Sequence, residues 1–116
     1  MHEMGIVLQI IETARAAIPP QLQGIQVKAL NLRIGKLTAV VPESLRFCFN
    51  IARQDTVLAG ASLRIEEVPI EAACRDCGER SIIETPPFTC SRCGGGDLAI
   101  LSGRELIVTS LELADP

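Results

Sequence analysis

The sequence predicts an α+β fold, in which a small mixed β-sheet of about three strands carries two helices and a small cysteine-bearing module is inserted before the last strand. Three observations predict it. Apolar residues recur with helical spacing in two segments, near 4–18 and 42–54. Three other segments, 26–36, 62–70 and 105–113, are rich in Leu, Ile and Val at strand length. Between the last two, residues 74–98 hold four of the five cysteines and four of the nine glycines, a composition unlike the rest of the chain.

In the first helix Met4, Val7, Leu8, Ile11, Ala14 and Ile18 fall on one face, and Pro19-Pro20 stops it. In the first strand Val27 is in one phase and Leu30, Leu32 and Ile34 are in the other, which requires a bulge or burial on both faces; Gly35 closes it. Pro42 suits a first helical turn, and Leu45, Cys48, Phe49 and Ala52 are spaced for one helical face, widened by Phe47 and Ile51. Cys48 is expected to be a buried thiol acting as a small hydrophobe. Leu63 and Ile65 point inward from the second strand, and a crossover helix between strands one and two predicts a parallel pair. The expected domains are 1–70 with 104–116, a discontinuous α/β domain, and 71–103, the inserted module.

At 116 residues the chain makes one ordinary domain or two very small ones. Hydrophobic residues are 47% of it and aromatics 3%, so the core is aliphatic. A net charge of -3 argues against a protein that lives on phosphate backbones, because such binding draws on clustered Lys and Arg. The longest apolar run, 98–101, is far short of the roughly 20 residues of a membrane span, and the N-terminus lacks a signal core, so a cytoplasmic location is expected. The single histidine is at position 2 and there is no tyrosine, which leaves little for nucleophilic or general-base catalysis; no phosphate-loop or dinucleotide fingerprint occurs. An enzyme is not expected.

Cys74-Arg75-Asp76-Cys77 and Cys90-Ser91-Arg92-Cys93, each followed by glycine, read as a tetrathiolate metal site. A CxxC turn presents two sulfurs to one ion, two turns complete a tetrahedron, and Zn²⁺ takes four thiolates at about 2.3 Å. A closed four-sulfur shell leaves no place for a substrate water, so the zinc is structural. Rubredoxin-type iron would use the same spacing but normally sits among aromatics, and here Phe88 stands alone. The segment is mildly acidic, unlike a ribbon that reads nucleic acid.

The chain opens Met1-His2-Glu3. A bulky second residue blocks removal of the initiator Met, so the Met1 amine, the His2 amide nitrogen and His2 Nδ1 can form fused chelate rings, with the Glu3 amide or carboxylate as a fourth donor. That nitrogen-rich, near-planar set suits Ni²⁺ or Cu²⁺ better than Zn²⁺.

Taken together, the MHEMG start, the Gly35-Lys36-Leu37 turn, the VPESLRF helix start at 41–47 and the paired CxxCG motifs resemble the HypA/HybF family of hydrogenase maturation factors over nearly the whole chain. The resemblance implies a nickel metallochaperone with a nickel-binding α/β domain and a structural zinc domain. Carried over residue by residue, it implies nickel at Met1, His2 and Glu3 and zinc at Cys74, Cys77, Cys90 and Cys93. It further implies delivery of Ni²⁺ to the large subunit of [NiFe] hydrogenase, work alongside the nickel GTPase HypB, and in some organisms supply to urease maturation proteins. Some members set histidines beside the cysteines; here the flanking residues are Arg75, Asp76, Ser91 and Arg92. The alternative is a structural zinc-ribbon adaptor that bridges maturation partners without carrying nickel. No nucleic acid or membrane is expected as a partner, and the sequence leaves monomer and homodimer open.

Overall fold

A computed structural model describes residues 3–115; Met1, His2 and Pro116 lie outside the described residues. In chain order the elements are α1 (Glu3–Ala17), β1 (Val27–Gly35), α2 (Pro42–Ala52), β2 (Ser62–Val68), β3 (Ile70–Cys74), β4 (Arg80–Ile83), β5 (Leu98–Ser102) and β6 (Leu106–Leu113). They form two three-stranded sheets, ordered β2-β1-β6 and β4-β3-β5. The expected α+β architecture is therefore present.

The chain divides into two compact units. The first comprises Met1–Arg33, Val40–Glu66 and Ile107–Pro116, and the second Ile34–Ala39 and Glu67–Leu106.

In the first unit, Val7, Ile10, Ile11 and Ala14 are the buried stripe of α1, and Leu45 and Phe49 that of α2, so the two helices pack on each other through aliphatic side chains and one ring. Pro42 opens α2, where a missing N–H costs no helical bond. Two arginines tie α2 to the start of β2. Arg46 Nη1 donates to the Leu63 carbonyl, and Arg53 Nη1 donates to the Ala61 carbonyl at 2.6 Å while its guanidinium lies 5.5 Å from the Phe49 ring centre. Cys48 is half-buried rather than buried, and Phe47 is 67% exposed, because the core-facing stripe of α2 is narrower than its apolar content.

Strand β1 is the central strand of its sheet, and its burial follows from that. The buried alternation of Val27 and Ala29 changes phase to Leu30, Leu32 and Ile34, as the sequence pattern requires, with Ala29 and Leu30 both completely buried. Hydrogen bonds from Ala114 N to Gln26 O (2.8 Å) and from Gly35 N to Glu105 O (2.7 Å) fix β1 and β6 as antiparallel. Asn31 adds side-chain bonds to Ser110 Oγ (3.0 Å) and Glu112 Oε2 (3.3 Å).

The second unit differs most from expectation. The strand foreseen over 62–70 is two strands: β2 ends at Val68 and β3 begins at Ile70, because Pro69 has no N–H for a ladder. Strand β3 is then the centre of an antiparallel sheet, pairing Ile70 with Ile83 and Ala73 with Arg80 on one side, and Cys74 with Leu98 on the other. Its small core is Ile70, Ala72 and Ile83, covered by Leu37, Leu98 and Ile100. Leu37 belongs here because Leu37 N donates to Gly103 O at 2.8 Å, which is why 34–39 joins this unit although it lies far from 71–103 in sequence.

The two chain segments cross at Gly35. A Cβ on Gly35 would stand 2.0 Å from the Gly103 carbonyl oxygen and 2.7 Å from Arg104 N, both backbone atoms that cannot move aside. Gly35→Ala should therefore lower the unfolding free energy by about 3 kcal/mol or more, at or above the upper end for overpacking. Urea denaturation followed by circular dichroism measures this, and a loss under about 1 kcal/mol would show that the crossing can open.

Candidate metal centre

The four cysteines sit on two copies of one backbone turn. In the first, Cys74 closes β3, Gly78 N donates to Cys74 O (2.9 Å), and Cys74 N donates to Glu79 O (2.8 Å). In the second, Gly94 N donates to Cys90 O (2.9 Å), and Cys90 N donates to Gly95 O (2.8 Å). Each turn needs a residue in the left-handed region directly after its second cysteine, and glycine supplies it: φ is +80° at Gly78 and +77° at Gly94. The CxxCG pattern is thus a backbone requirement as well as a ligand spacing. In each turn the first cysteine is buried and the second exposed.

The turns face each other. Cys74 Sγ lies 3.6 Å from Cys93 Sγ, and Cys77 Sγ lies 3.5 Å from Cys90 Sγ, with all four sulfurs within 4.8 Å of one another. A tetrahedron with metal–sulfur bonds of about 2.3 Å has sulfur–sulfur edges of about 3.8 Å. The cluster therefore matches a tetrahedral ion, and its spacings are far from the roughly 2.05 Å of a disulfide.

The backbone also sorts the protons. N–H groups of Cys93 (3.4 Å) and Arg92 (3.3 Å) point at Cys90 Sγ and lower its pKa to about 6. At Cys93 the Gly95 N–H favours the thiolate, yet the neighbouring Cys74 and Cys90 sulfurs outweigh it and push the pKa up to about 12. Cys77 is also raised: the Glu79 backbone N–H favours its thiolate, but burial and the sulfurs of Cys90 and Cys74 prevail. A metal ion thus meets Cys90 as a thiolate at neutral pH and must displace protons from Cys77 and Cys93. Uptake releases protons, and affinity falls as the medium is acidified.

Around the cluster, Arg75 pairs with Asp97 (2.8 Å), Arg80 with Glu71 (3.2 Å) and Arg92 with Glu79 (4.0 Å). These exposed pairs add little stability. They do place an acid beside each arginine of the module, the opposite of a surface built for phosphates.

Of the residues singled out from sequence, the structure brings Cys74, Cys77, Cys90 and Cys93 together. Met1 and His2 lie outside the described residues; Glu3 opens α1 and is buried. The strands that carry the cluster were the part missed: β3 and β5 flank the motifs. Alternation in Ile70, Ala72 and Cys74, starting straight after Pro69, was the available signal. Among the described residues no helix is long and apolar enough to cross a membrane.

A family model described as "Hydrogenase/urease nickel incorporation, metallochaperone, hypA" matches residues 1–113. The chain belongs to the HypA family. The hydrogenase maturation factor HypA of Desulfatibacillum aliphaticivorans is 58% identical over 116 residues, covering 100% of this chain and 89% of that protein. The one from Desulfosudis oleivorans is 57% identical over 115 residues, covering 99% and 100%. The solution structure of the Ni metallochaperone HypA from Helicobacter pylori has the same fold, with a TM-score of 0.66 over 97% of both chains at 23% identity. HypA proteins are maturation factors of hydrogenase and urease nickel incorporation, not catalytic enzymes.

Proposed function

We propose that this HypA-family chain binds Ni²⁺ at Met1, His2 and Glu3 and delivers it for [NiFe] hydrogenase maturation in the cytoplasm, while Zn²⁺ at Cys74, Cys77, Cys90 and Cys93 holds the ribbon together. One observation carries the nickel reading: a chain of a nickel-incorporation family whose single histidine is residue 2, directly ahead of α1. Amide N–H groups in the first turn of a helix have no intrahelical acceptor, so a backbone nitrogen there can bind metal without breaking the helix. Few, labile donors near a chain end hold a cargo ion that a deeper acceptor can take by ligand exchange. The nickel GTPase HypB and the hydrogenase large subunit are the proposed partners, with urease maturation proteins where that enzyme is present.

The zinc reading rests on the donor set. Four sulfurs with tetrahedral spacing leave no open position for chemistry, and the resident ion supplies folding free energy to a sheet with a small core.

Metal analysis of the purified chain, with and without added nickel, tests both. One Zn²⁺ per chain is expected throughout, and one further Ni²⁺ at pH 7.5. The adaptor alternative predicts no bound nickel at all.

Lowering the pH from about 7.5 to 6 should shed nickel before zinc. An α-amine titrates near 8 and an imidazole near 6.5, and both must be deprotonated to bind. Nickel affinity that stays flat across this window would exclude those donors.

A further inference from the structure

We propose that the groove between α2 and the start of β2 docks an acidic segment of a partner protein, with two of its carboxylates held by Arg46 and Arg53. These two arginines stand apart from most of the others. Arg15, Arg33, Arg64, Arg75, Arg80 and Arg92 each lie within 4.0 Å of a carboxylate. Arg46 and Arg53 have no such partner among the described residues. Each gives one N–H to a backbone carbonyl, that of Leu63 or Ala61, and the other donors of its fork find no protein acceptor among the described residues. Positions 46, 50 and 53 recur at helical spacing, so both guanidinium groups and Asn50 share one side of α2. With the buried Phe49 and, across from them, Ser62 and Leu63, they line a groove of about 370 Å³.

The dimensions of the groove select its occupant. The carbonyls that hold the two guanidinium groups are two residues apart, about 7 Å at strand rise. Side chains at i and i+2 of an extended segment have the same separation and point to one side. Two carboxylates one residue apart therefore reach both forks at once, each in the bidentate geometry that arginine offers. A single phosphate ion is too small to do so. Beside the arginine row, Phe47 and Ile51 are 67% and 49% exposed and lie one helical turn apart. An exposed aromatic next to arginines without carboxylate partners is the combination that anchors protein interfaces, and a free anion gains nothing from it. The chain carries a net charge of -3, so attraction for an acidic segment is local to the groove rather than general.

NMR titration of the full, ¹⁵N-labelled, zinc-loaded and nickel-free chain with the end-capped peptide Gly-Glu-Val-Glu-Val-Gly tests this at low salt. Saturable shifts are expected in α2 and at 61–63, with a Kd between about 10 μM and 1 mM, the range of a small, exposed charge-paired contact. The glutamine counterpart Gly-Gln-Val-Gln-Val-Gly should not bind. Asn50→Asp sets a carboxylate between the two guanidinium groups at an exposed position, where the fold should persist, and should weaken peptide binding about tenfold or more. Asn50→Gln, which is neutral, should bind as the wild type does. Four results would each overturn the proposal: no saturation up to about 5 mM peptide, equal binding of the glutamine peptide, displacement by an equal concentration of inorganic phosphate, or wild-type affinity in a folded Asn50→Asp. With nickel absent, every outcome bears on docking alone and leaves the carrier reading standing.

Discussion

In Cys90→Ser the ribbon is expected to lose its metal and unfold while the helical unit stays folded. Cys90 is the sulfur that the backbone prepares as a thiolate, with N–H groups of Arg92 and Cys93 aimed at it and its pKa lowered to about 6. A serine hydroxyl cannot take that charge at neutral pH. Changes to residues that merely orient a metal ligand cost about 10–100-fold in affinity, and losing the ligand itself should exceed a hundredfold. Without metal, the sheet β4-β3-β5 has only Ile70, Ala72 and Ile83 with their three covering side chains to hold it. The first unit has its own buried set, including Val7, Ile11, Leu30, Leu45, Phe49 and Leu58. Zinc competition with a chelating dye should show the affinity loss. Amide exchange should show β3 to β5 unprotected and α1 and β1 still protected. Collapse of protection in α1 and β1 as well would mean that the two units fold as one.

His2→Ala is expected to abolish Ni²⁺ binding, with zinc content and fold unchanged. The substitution removes the imidazole and one chelate ring, and among the described residues the remaining metal-competent cluster is the four-thiol set, which shares no ligand with the terminus. Placing extra residues before Met1 should act the same way, since it converts the amine into a peptide nitrogen; extension after Pro116 should not. Calorimetric titration with Ni²⁺ reads all three. Wild-type nickel affinity in His2→Ala would sink the Met1-His2-Glu3 assignment even for a chain of this family.

Both predictions draw on features visible in the linear chain. The cysteine turns were legible because the spacing of Cys74 to Gly78 and of Cys90 to Gly94 suits a metal and a left-handed backbone position at once. Helix α1 was legible because Val7, Ile11 and Ala14 recur at its period and Pro19 ends it. The half-exposed Cys48 was not. Periodicity reports which residues share a helix face, while the width of the buried stripe depends on what covers it, and α2 leaves Phe47 and Ile51 outside.

Local chemistry determined the four-cysteine cluster, the helices, the phase change in β1 and the family, because each rests on residues within a few positions of one another or on a motif. Tertiary structure alone decided which distant segments belong together. Nothing near Gly35 announces Gly103, yet the two backbones pass within van der Waals reach, and 34–39 is drawn into the ribbon unit by Leu37. Nor does the sequence show that β6 is a terminal strand while the run 62–70 is divided between two sheets by Pro69. Strand order and edge exposure are set by long-range pairing, whose closure entropy and partners are not encoded in any short stretch of chain.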